Sequence, residues 1–228
     1  MVNKILALLY KLLYKNYNRY LAKELIKKYK LPVSTFFKGR VNINGSFSCG
    51  EGCKFLGDIT ISGNVELGRY VSINGPNTDI FTAINTVKIG SFTSIARNVS
   101  IQEYNHNFKG LTTYHIHQNI FKESRLLDIY SKGDIEIGND VWIGTHCVIL
   151  SGVKIGNGAI IAANSVVNTE IPAYAIAAGS PAKVIGYRFE RDVIEKIEKL
   201  AWWNWDLKKI ELNKEIFGQK EKIFIING

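Results

Sequence analysis

The sequence predicts an all-β solenoid, a fold in which short strands wind into coils that stack on one another. One observation is an apolar residue at every sixth position of the C-terminal half: Ile137, Ile143, Ile149, Ile155, Ile161 and Val167. A second is the same period in the N-terminal half: Ile43, Cys49, Phe55, Ile61, Leu67 and Ile73. An α-helix repeats every 3.6 residues and cannot keep a six-residue period on one face.

Each six-residue unit supplies one short strand and a turn, and three units close a triangular coil. The repeated side chain then points inward and lies on its counterpart one coil later, so that Ile143 pairs with Ile161. Gly138, Gly144 and Gly156 directly follow repeat positions, where we expect a positive φ or a close approach between coils. No coil is stable alone, because stacking creates the core.

Two segments interrupt the predicted solenoid of residues 32–186. Residues 74–86 read as irregular, after which the period resumes at Ile89. The longer interruption, residues 102–134, contains three of the four histidines: His106, His115 and His117. A long insertion on a rigid scaffold is a typical functional loop.

The N-terminal segment, residues 1–31, reads as an amphipathic helix that carries most of the charge. Residues 1–30 contribute +7 to the net charge of +9, so the rest of the chain is nearly neutral and nucleic acid is not an expected partner. The apolar run from Ile5 to Tyr10 is too short for a membrane span. Two interpretations stay open: peripheral binding to an anionic membrane, or packing on the protein.

The cysteines and the C-terminal segment bear on compartment and packing. Three cysteines give no disulfide framework, so a cytoplasmic protein is expected. Residues 187–228 are predicted to form a helix and a tail. The helix at 190–201 would bury the apolar side chains Val193, Ile194, Ile197, Leu200 and Ala201. The last five residues, FIING, read as a further edge strand.

Two runs in the final coils carry a family resemblance. IGNDVWIGTHCVILSGVKIGNGAIIAANSVV and IPAYAIAAGSPAKVIGYRF resemble the hexapeptide-repeat acyltransferases, and the resemblance extends over residues 41–210. It implies a left-handed parallel β-helix, assembly as a homotrimer, and acetyl-CoA as donor. The later WWNWDLKKI is similar to a Trp-rich segment of the same family, where anchoring of the C-terminal helix is the favoured interpretation.

The loop YNHNFKGLTTY resembles the Asn-His loop of the xenobiotic acetyltransferase branch, which includes the type-B chloramphenicol enzymes. The resemblance implies that His106 is the general base, and we expect Tyr104, Asn105 and Tyr114 to contact the acceptor. The branch often has Tyr-Pro-Phe where this chain has Tyr114, His115 and Ile116. The acceptor side of the loop has therefore diverged.

The resemblance also places coenzyme contacts. Thr145 and Ala163 match positions whose backbone meets the pantetheine arm, and Lys183 matches a basic residue that faces the nucleotide phosphates. Arg188 is a second candidate for the phosphates. Trp142 faces outward beside the same coil, where it would line the acyl end of the site or pack at the trimer interface.

The leading functional hypothesis is an O-acetyltransferase acting on a sugar hydroxyl of a cell-surface polysaccharide or its precursor. The basic N-terminus motivates it, since such acceptors lie near membranes. The alternatives are an antibiotic O-acetyltransferase, a sugar N-acetyltransferase, a γ-type zinc carbonic anhydrase and a silent scaffold. The anhydrase hypothesis uses the His115-x-His117 pair with a third histidine, but the final coils favour the acyltransferases, for which no metal is expected.

Overall fold

The computed structural model describes residues 19–218. Parallel strands there form a solenoid with two large sheets. The first sheet follows one face, in the order β1 (Phe36–Lys38), β3 (Lys54–Leu56), β5 (Ser72–Asn74), β7 (Ser94–Ile95), β12 (Trp142–Ile143), β15 (Ile160–Ile161), β17 (Ala175–Gly179) and β18 (Ala182–Tyr187). The last strand, β18, runs antiparallel to β17 and ends the stack.

The second sheet covers the remaining two faces, because its long strands turn the corner between them. Its members are β2 (Val41–Cys49), β4 (Ile59–Leu67), β6 (Thr78–Ile89), β8 (Ser100–Gln102), β11 (Ile135–Ile137), β13 (Val148–Leu150), β14 (Lys154–Ile155) and β16 (Val166–Val167). Strand β6 pairs with β8 through its first half and with β11 through its second half.

The core is a column of inward side chains, as the six-residue period predicts. Ile143 pairs with Ile161 in the coil above and with Ile95 in the coil below, and all three are fully buried. Burying such a side chain contributes about 1.5–3 kcal/mol. The repetition of this contact from coil to coil holds the solenoid together.

Glycine follows the repeat positions because neighbouring coils approach closely there, and not because the backbone has a positive φ. A Cβ on Gly144 would lie 2.6 Å from the backbone nitrogen of Ala163, and one on Gly138 would lie 2.7 Å from that of Asn157. Positive φ occurs instead at corner residues such as Asp140 and His146, at 56° and 60°. Of the two reasons expected for glycine at these three positions, a positive φ or a close approach, the structure shows the close approach.

The interpretation of residues 74–86 as irregular is also wrong in its main part. Residues 78–89 form strand β6, and Ile80 is fully buried opposite Ile61. The six-residue period is lost in two places: Ile80 lies seven residues after Ile73, and residues 82–85 of β6 bulge opposite the single residue Gly63. These insertions break the period in the sequence without breaking the stack.

Helix α1, described over residues 19–29, packs on the first coils. Leu25, Ile26 and Tyr29 contact the core, and the Tyr29 hydroxyl donates a 2.9 Å hydrogen bond to the carbonyl oxygen of Ile43. Lys23 and Lys27 lie on its exposed side. Packing on the protein is therefore the interpretation that holds for this part of the helix, and residues 1–18 lie outside the described residues.

The C-terminal helix α2 (Arg191–Leu200) buries Val193 and Ile197, as the sequence predicts. The Trp-rich segment follows, with Trp203 buried against this helix. The Arg69 guanidinium donates a 2.9 Å hydrogen bond to the Trp203 carbonyl oxygen and another to that of Trp205. The segment therefore anchors α2 on the solenoid. A short helix α3 (Leu207–Leu212) follows, and the predicted edge strand at 224–228 lies outside the described residues.

Within residues 19–218, no helix is both long and apolar enough to cross a membrane.

Candidate active site

The inserted loop leaves the solenoid after β8 and returns at β11, and a two-stranded pair fixes its base. Strands β9 (Asn105–His106) and β10 (Ile129–Tyr130) are antiparallel, with His106 opposite Ile129. The Asn105 amide donates a 3.3 Å hydrogen bond to the hydroxyl of Ser151, on the coil above. This pairing places His106 at the junction of a rigid scaffold and a loop.

The His106 imidazole is exposed, and its Nδ1 lies 2.7 Å from the carbonyl oxygen of Thr113. A carbonyl oxygen only accepts hydrogen bonds, so Nδ1 carries the proton. The lone pair is then on Nε2, the nitrogen that remains available to accept a proton. The backbone carbonyl of Thr113 is therefore the group that orients the histidine, which sequence alone did not identify.

Glu103, the acid nearest to His106 in sequence, has a different task. It is fully buried and accepts 3.0 Å hydrogen bonds from the backbone N–H groups of Ala83 and Ile84 and from the side chain of Asn85. Burial acts to raise the pKa of this carboxyl, but these donors outweigh burial and lower it. The bound carboxylate ties the start of the insertion to the bulge within β6.

The other histidines of the loop diverge. The His115 ring lies against the His106 ring, with centroids 4.4 Å apart. His117 instead places Nδ1 2.6 Å from a carboxylate oxygen of Glu123. His146 lies at a corner beside Thr145. In the described part of the chain, no three His, Cys, Asp or Glu side chains form a group that could hold a metal ion.

Asp128 organises the segment that carries these histidines. Its buried carboxylate accepts hydrogen bonds from the backbone N–H groups of His117, at 3.0 Å, and Gln118, at 2.8 Å. Burial acts to raise the pKa of Asp128, whereas the two N–H donors and the nearby histidines lower it overall. The chain just after His115 is thus pinned by a buried charge.

The three expected acceptor contacts lie on the same loop, in different surroundings. The Tyr104 hydroxyl accepts a 2.7 Å hydrogen bond from Arg125, whose guanidinium also lies over the Tyr104 ring. Tyr114 is 56% exposed, close in sequence to the carbonyl that holds His106. Asn105 faces the scaffold through Ser151. Tyr114 is therefore the most accessible of the three, and Arg125 is a loop residue that the sequence did not single out.

Three of the predicted coenzyme residues share one corner of the solenoid. The backbone N–H of Asn164 donates a 2.9 Å hydrogen bond to the carbonyl oxygen of Thr145, which stacks that coil directly on the next. Ala163 is exposed at this corner. Lys183 is exposed on β18, opposite Ala178 of β17. These residues line a path parallel to the solenoid axis.

The other two predicted coenzyme residues are placed differently. Trp142 faces outward and is 55% exposed on the same face. Arg188 follows the far end of β18 and is engaged: its guanidinium donates to Asp140 at 2.9 Å and to the carbonyl oxygen of Gly158 at 2.7 Å. It also lies over the ring of Phe189. The structure does not bring Arg188 together with Lys183.

The histidine and the Thr145 corner lie at opposite ends of one strand. Thr145 precedes β13, and Ser151, which binds Asn105 beside His106, directly follows it. Within one chain the candidate base and the candidate coenzyme corner are therefore separated by a full face of the solenoid.

Stacked parallel coils interrupted by one loop that presents an oriented histidine are the architecture of a β-helix acyltransferase. The family model Bacterial transferase hexapeptide (six repeats) matches residues 134–169. A protein of Lysinibacillus sphaericus named as a probable macrolide acetyltransferase is 46% identical over 136 residues, which cover 56% of this chain and 74% of the relative. This chain belongs to the hexapeptide-repeat acyltransferases, in the branch that resembles the xenobiotic acetyltransferases.

Further relatives agree with this membership. A chloramphenicol acetyltransferase of Morganella morganii is 35% identical over 169 residues, 65% of this chain and 79% of the relative. The Escherichia coli K12 protein WbbJ, named as an O-acetyl transferase of lipopolysaccharide biosynthesis, is 34% identical over 163 residues, 69% of this chain and 78% of the relative. The predicted class, an acyltransferase that uses acetyl-CoA, is confirmed.

A solved structure supports the fold. The N-acyltransferase AntD of Bacillus cereus, in complex with dTDP and coenzyme A, has a TM-score of 0.61 and 21% identity, covering 78% of this chain and 95% of that chain. At this identity the likeness concerns the fold alone, and the predicted left-handed parallel β-helix is confirmed.

Proposed function

We propose that this protein is an O-acetyltransferase that transfers acetyl from acetyl-CoA to a sugar hydroxyl of a cell-surface polysaccharide or its precursor. The observation that supports O-acetylation is the fixed Nδ1–H tautomer of His106, which leaves Nε2 as an acceptor for a hydroxyl proton. The exposed position of this imidazole lets an acceptor approach it.

The chemistry follows from that geometry. The acceptor hydroxyl donates a hydrogen bond to Nε2 and loses its proton to that nitrogen as its oxygen attacks the thioester carbonyl. A C–O bond forms, and the C–S bond then breaks. The coenzyme leaves as a thiol after taking the proton back from the imidazolium. Transfer is direct, since the thioester is already activated and needs no covalent enzyme intermediate.

The protein is expected to act as a homotrimer. One chain separates His106 from the corner that contains Thr145 and Ala163. A neighbouring subunit whose corner faces this histidine would complete the site, with Lys183 near the phosphates of the coenzyme. Trp142, exposed on the same face, would then meet the acetyl end or the adjacent subunit.

The acceptor class is supported by the N-terminal helix. Its apolar side is used against the first coils, which leaves Lys23, Lys27 and Lys28 on the outside. A row of lysines favours an anionic surface. Such a surface is where lipid-linked envelope saccharides are assembled, and peripheral contact with the inner face of the membrane would bring enzyme and acceptor together. The relative WbbJ is named for that kind of acceptor.

A second candidate is an antibiotic that carries a hydroxyl. The loop around His106 exposes large apolar side chains: Phe108 is 65% exposed, Leu111 is fully exposed and Tyr114 is 56% exposed. An apolar acceptor such as a macrolide would cover them, and the macrolide relative is 46% identical over its matched part.

The deciding experiment measures thiol release from acetyl-CoA with a panel of envelope saccharides, amino sugars, macrolides and chloramphenicol. A saccharide that is turned over and acetylated on oxygen, shown by mass spectrometry, supports the first proposal. Turnover of antibiotics alone contradicts it and supports the second, and acetylation on nitrogen contradicts O-transfer. With the best acceptor, His106→Gln should lose roughly 10²- to 10⁴-fold in kcat. Near-normal turnover by this variant would exclude the general-base role.

A further inference from the structure

The inserted loop holds a second histidine ring against the proposed base. The rings of His106 and His115 have centroids 4.4 Å apart and planes inclined by 31°. His106 is exposed, whereas His115 is partly buried. One face of the His106 ring is therefore covered by a partly buried aromatic neighbour.

The hydrogen bond to Thr113 does not by itself fix the His106 ring. A single bond at Nδ1 sets one point of the imidazole and leaves the ring free to tilt about it. A second aromatic ring on its face restricts this tilt, because tilting would lose the contact or force overlap. The two contacts together give the lone pair on Nε2 one direction.

The position of His115 is imposed by the loop around it. Its Nε2 is buried and has no hydrogen-bond partner among residues 19–218. Such an atom carries a free-energy cost, which native structures tolerate where the surroundings hold the group in place. The next residue but one, His117, is pinned through its backbone N–H to the buried Asp128 carboxylate. The segment thus presents the His115 ring although its own nitrogen gains nothing there.

We propose that His115 is a positioning residue that fixes the plane of the His106 imidazole. It acts through ring contact and does not itself touch the reacting atoms. This inference rests on the proposed function in taking His106 as the base. It gives a role to the position at which this loop departs from the Tyr-Pro-Phe of related loops.

The turnover test compares three variants with the best acceptor. His115→Ala removes the ring and should lower kcat roughly 10- to 100-fold, with the KM for acetyl-CoA unchanged. His115→Phe keeps a ring without nitrogens and should stay within about threefold of the wild type, since the stack is retained. His117→Phe is the matched control: its ring contacts Phe121 and Glu123, and its kcat should equal that of the wild type.

A second measurement needs no acceptor. Side-chain ¹H–¹⁵N spectra of the full-length protein labelled on histidine should show the Nδ1–H tautomer for His106 in the wild type and in His115→Phe. In His115→Ala the Thr113 carbonyl still favours that tautomer, but the ring can tilt, so its signal should broaden at a pH where the imidazole is neutral. If the proposed base or acceptor is wrong, this readout still decides whether His115 fixes the ring.

Two results would overturn the positioning role. One is a His115→Ala protein with wild-type kcat and an unchanged His106 spectrum. The other is a His115→Phe protein that is as slow as His115→Ala. That result would show that turnover depends on a ring nitrogen of His115 and not on the ring contact.

Discussion

The carboxylate of Glu103 is the most deeply buried charge beside the candidate site, and it holds neighbouring segments of the chain together through hydrogen bonds. Three donors from the bulge within β6 converge on it: two backbone N–H groups and the amide of Asn85. Asn85 in turn binds the hydroxyl of Ser131, near the end of the insertion. Glu103 and Asn85 therefore join three separate stretches of chain, and His106 lies three residues further along the same loop.

Glu103→Gln is expected to lower the free energy of unfolding by about 1–3 kcal/mol at pH 7. The glutamine oxygen would still accept hydrogen bonds from Ala83 and Ile84. Its NH₂ group would face the NH₂ group of Asn85, so that two donors meet without an acceptor. The measurement is urea unfolding. Glu136→Gln is the matched control, because Glu136 forms an ion pair with Lys154 at a half-exposed site, and such a pair is worth about 0–1 kcal/mol.

The difference in unfolding free energy between the wild type and Glu103→Gln should depend on pH, and the direction of that dependence can be predicted. The pKa of Glu103 is lower in the folded protein than its ordinary value of about 4.3. The stabilisation is thus complete above that ordinary value and is lost as the pH falls through the lowered pKa. The gap between wild type and Glu103→Gln should narrow below about pH 4.3. A gap that widens on acidification would contradict the assignment.

At the scale of elements, contact between backbones sets the distance between neighbouring coils. A substitution at Gly144 tests this statement. Gly144→Ala places a Cβ 2.6 Å from the Ala163 nitrogen, and the overpacking should cost about 1–3 kcal/mol. Gly186→Ala is the control, since a Cβ there meets nothing within 4 Å. Thermal unfolding should separate the two variants. Equal melting temperatures would show that the coils yield easily.

How far the sequence predicts these elements depends on the kind of interaction. The inward residues repeat, so pairs such as Ile143 with Ile161 were predictable and are observed. The hand of the β-helix came from the resemblance, because the period is the same for either hand. The Thr113 carbonyl was not predictable, since a backbone acceptor leaves no signal in residue type. Nor was the contact of His115 with His106, which depends on how an aperiodic loop folds back on itself.

The sequence predicts a ligand contact for Arg188, whereas the structure shows its guanidinium bonded to other residues of the same chain. A basic residue after the last coil suggested a phosphate contact. Its guanidinium instead joins Asp140 and the Gly158 carbonyl of a lower coil. This charge is engaged within the fold, and its contact with the phosphates stays a prediction. Lys183 remains the exposed basic residue predicted for the phosphates.

At the scale of the whole molecule, the proposed sharing of one site between subunits predicts that two inactive variants complement each other. His106→Gln removes the base, and Thr145→Trp should block the coenzyme corner with bulk. Each homotrimer should be inactive with the best acceptor. Co-expressed and mixed trimers should regain activity, because one interface then combines an intact histidine with an intact corner. Mixed trimers, verified by dual tags, that stay inactive would place base and coenzyme in one chain.

The basic side of α1 gives a further prediction about the whole molecule. Lys23→Glu with Lys27→Glu should weaken binding to phosphatidylserine vesicles, measured by co-sedimentation, by about 2 kcal/mol or more, at roughly 1 kcal/mol per lysine. Lys54→Glu with Lys154→Glu is the matched control, since both are exposed on the solenoid. Equal loss in both pairs would indicate a diffuse charge effect and not a binding face.

The packing of α1 on the first coils also bears on how the stack is terminated. A solenoid of parallel strands offers two open edges of unpaired backbone groups, onto which another molecule could add coils. Here Tyr29 bonds to the backbone of Ile43 at one end, and β18 returns antiparallel at the other. At each end, an element that departs from the six-residue repeat therefore occupies part of the edge onto which a further coil would add.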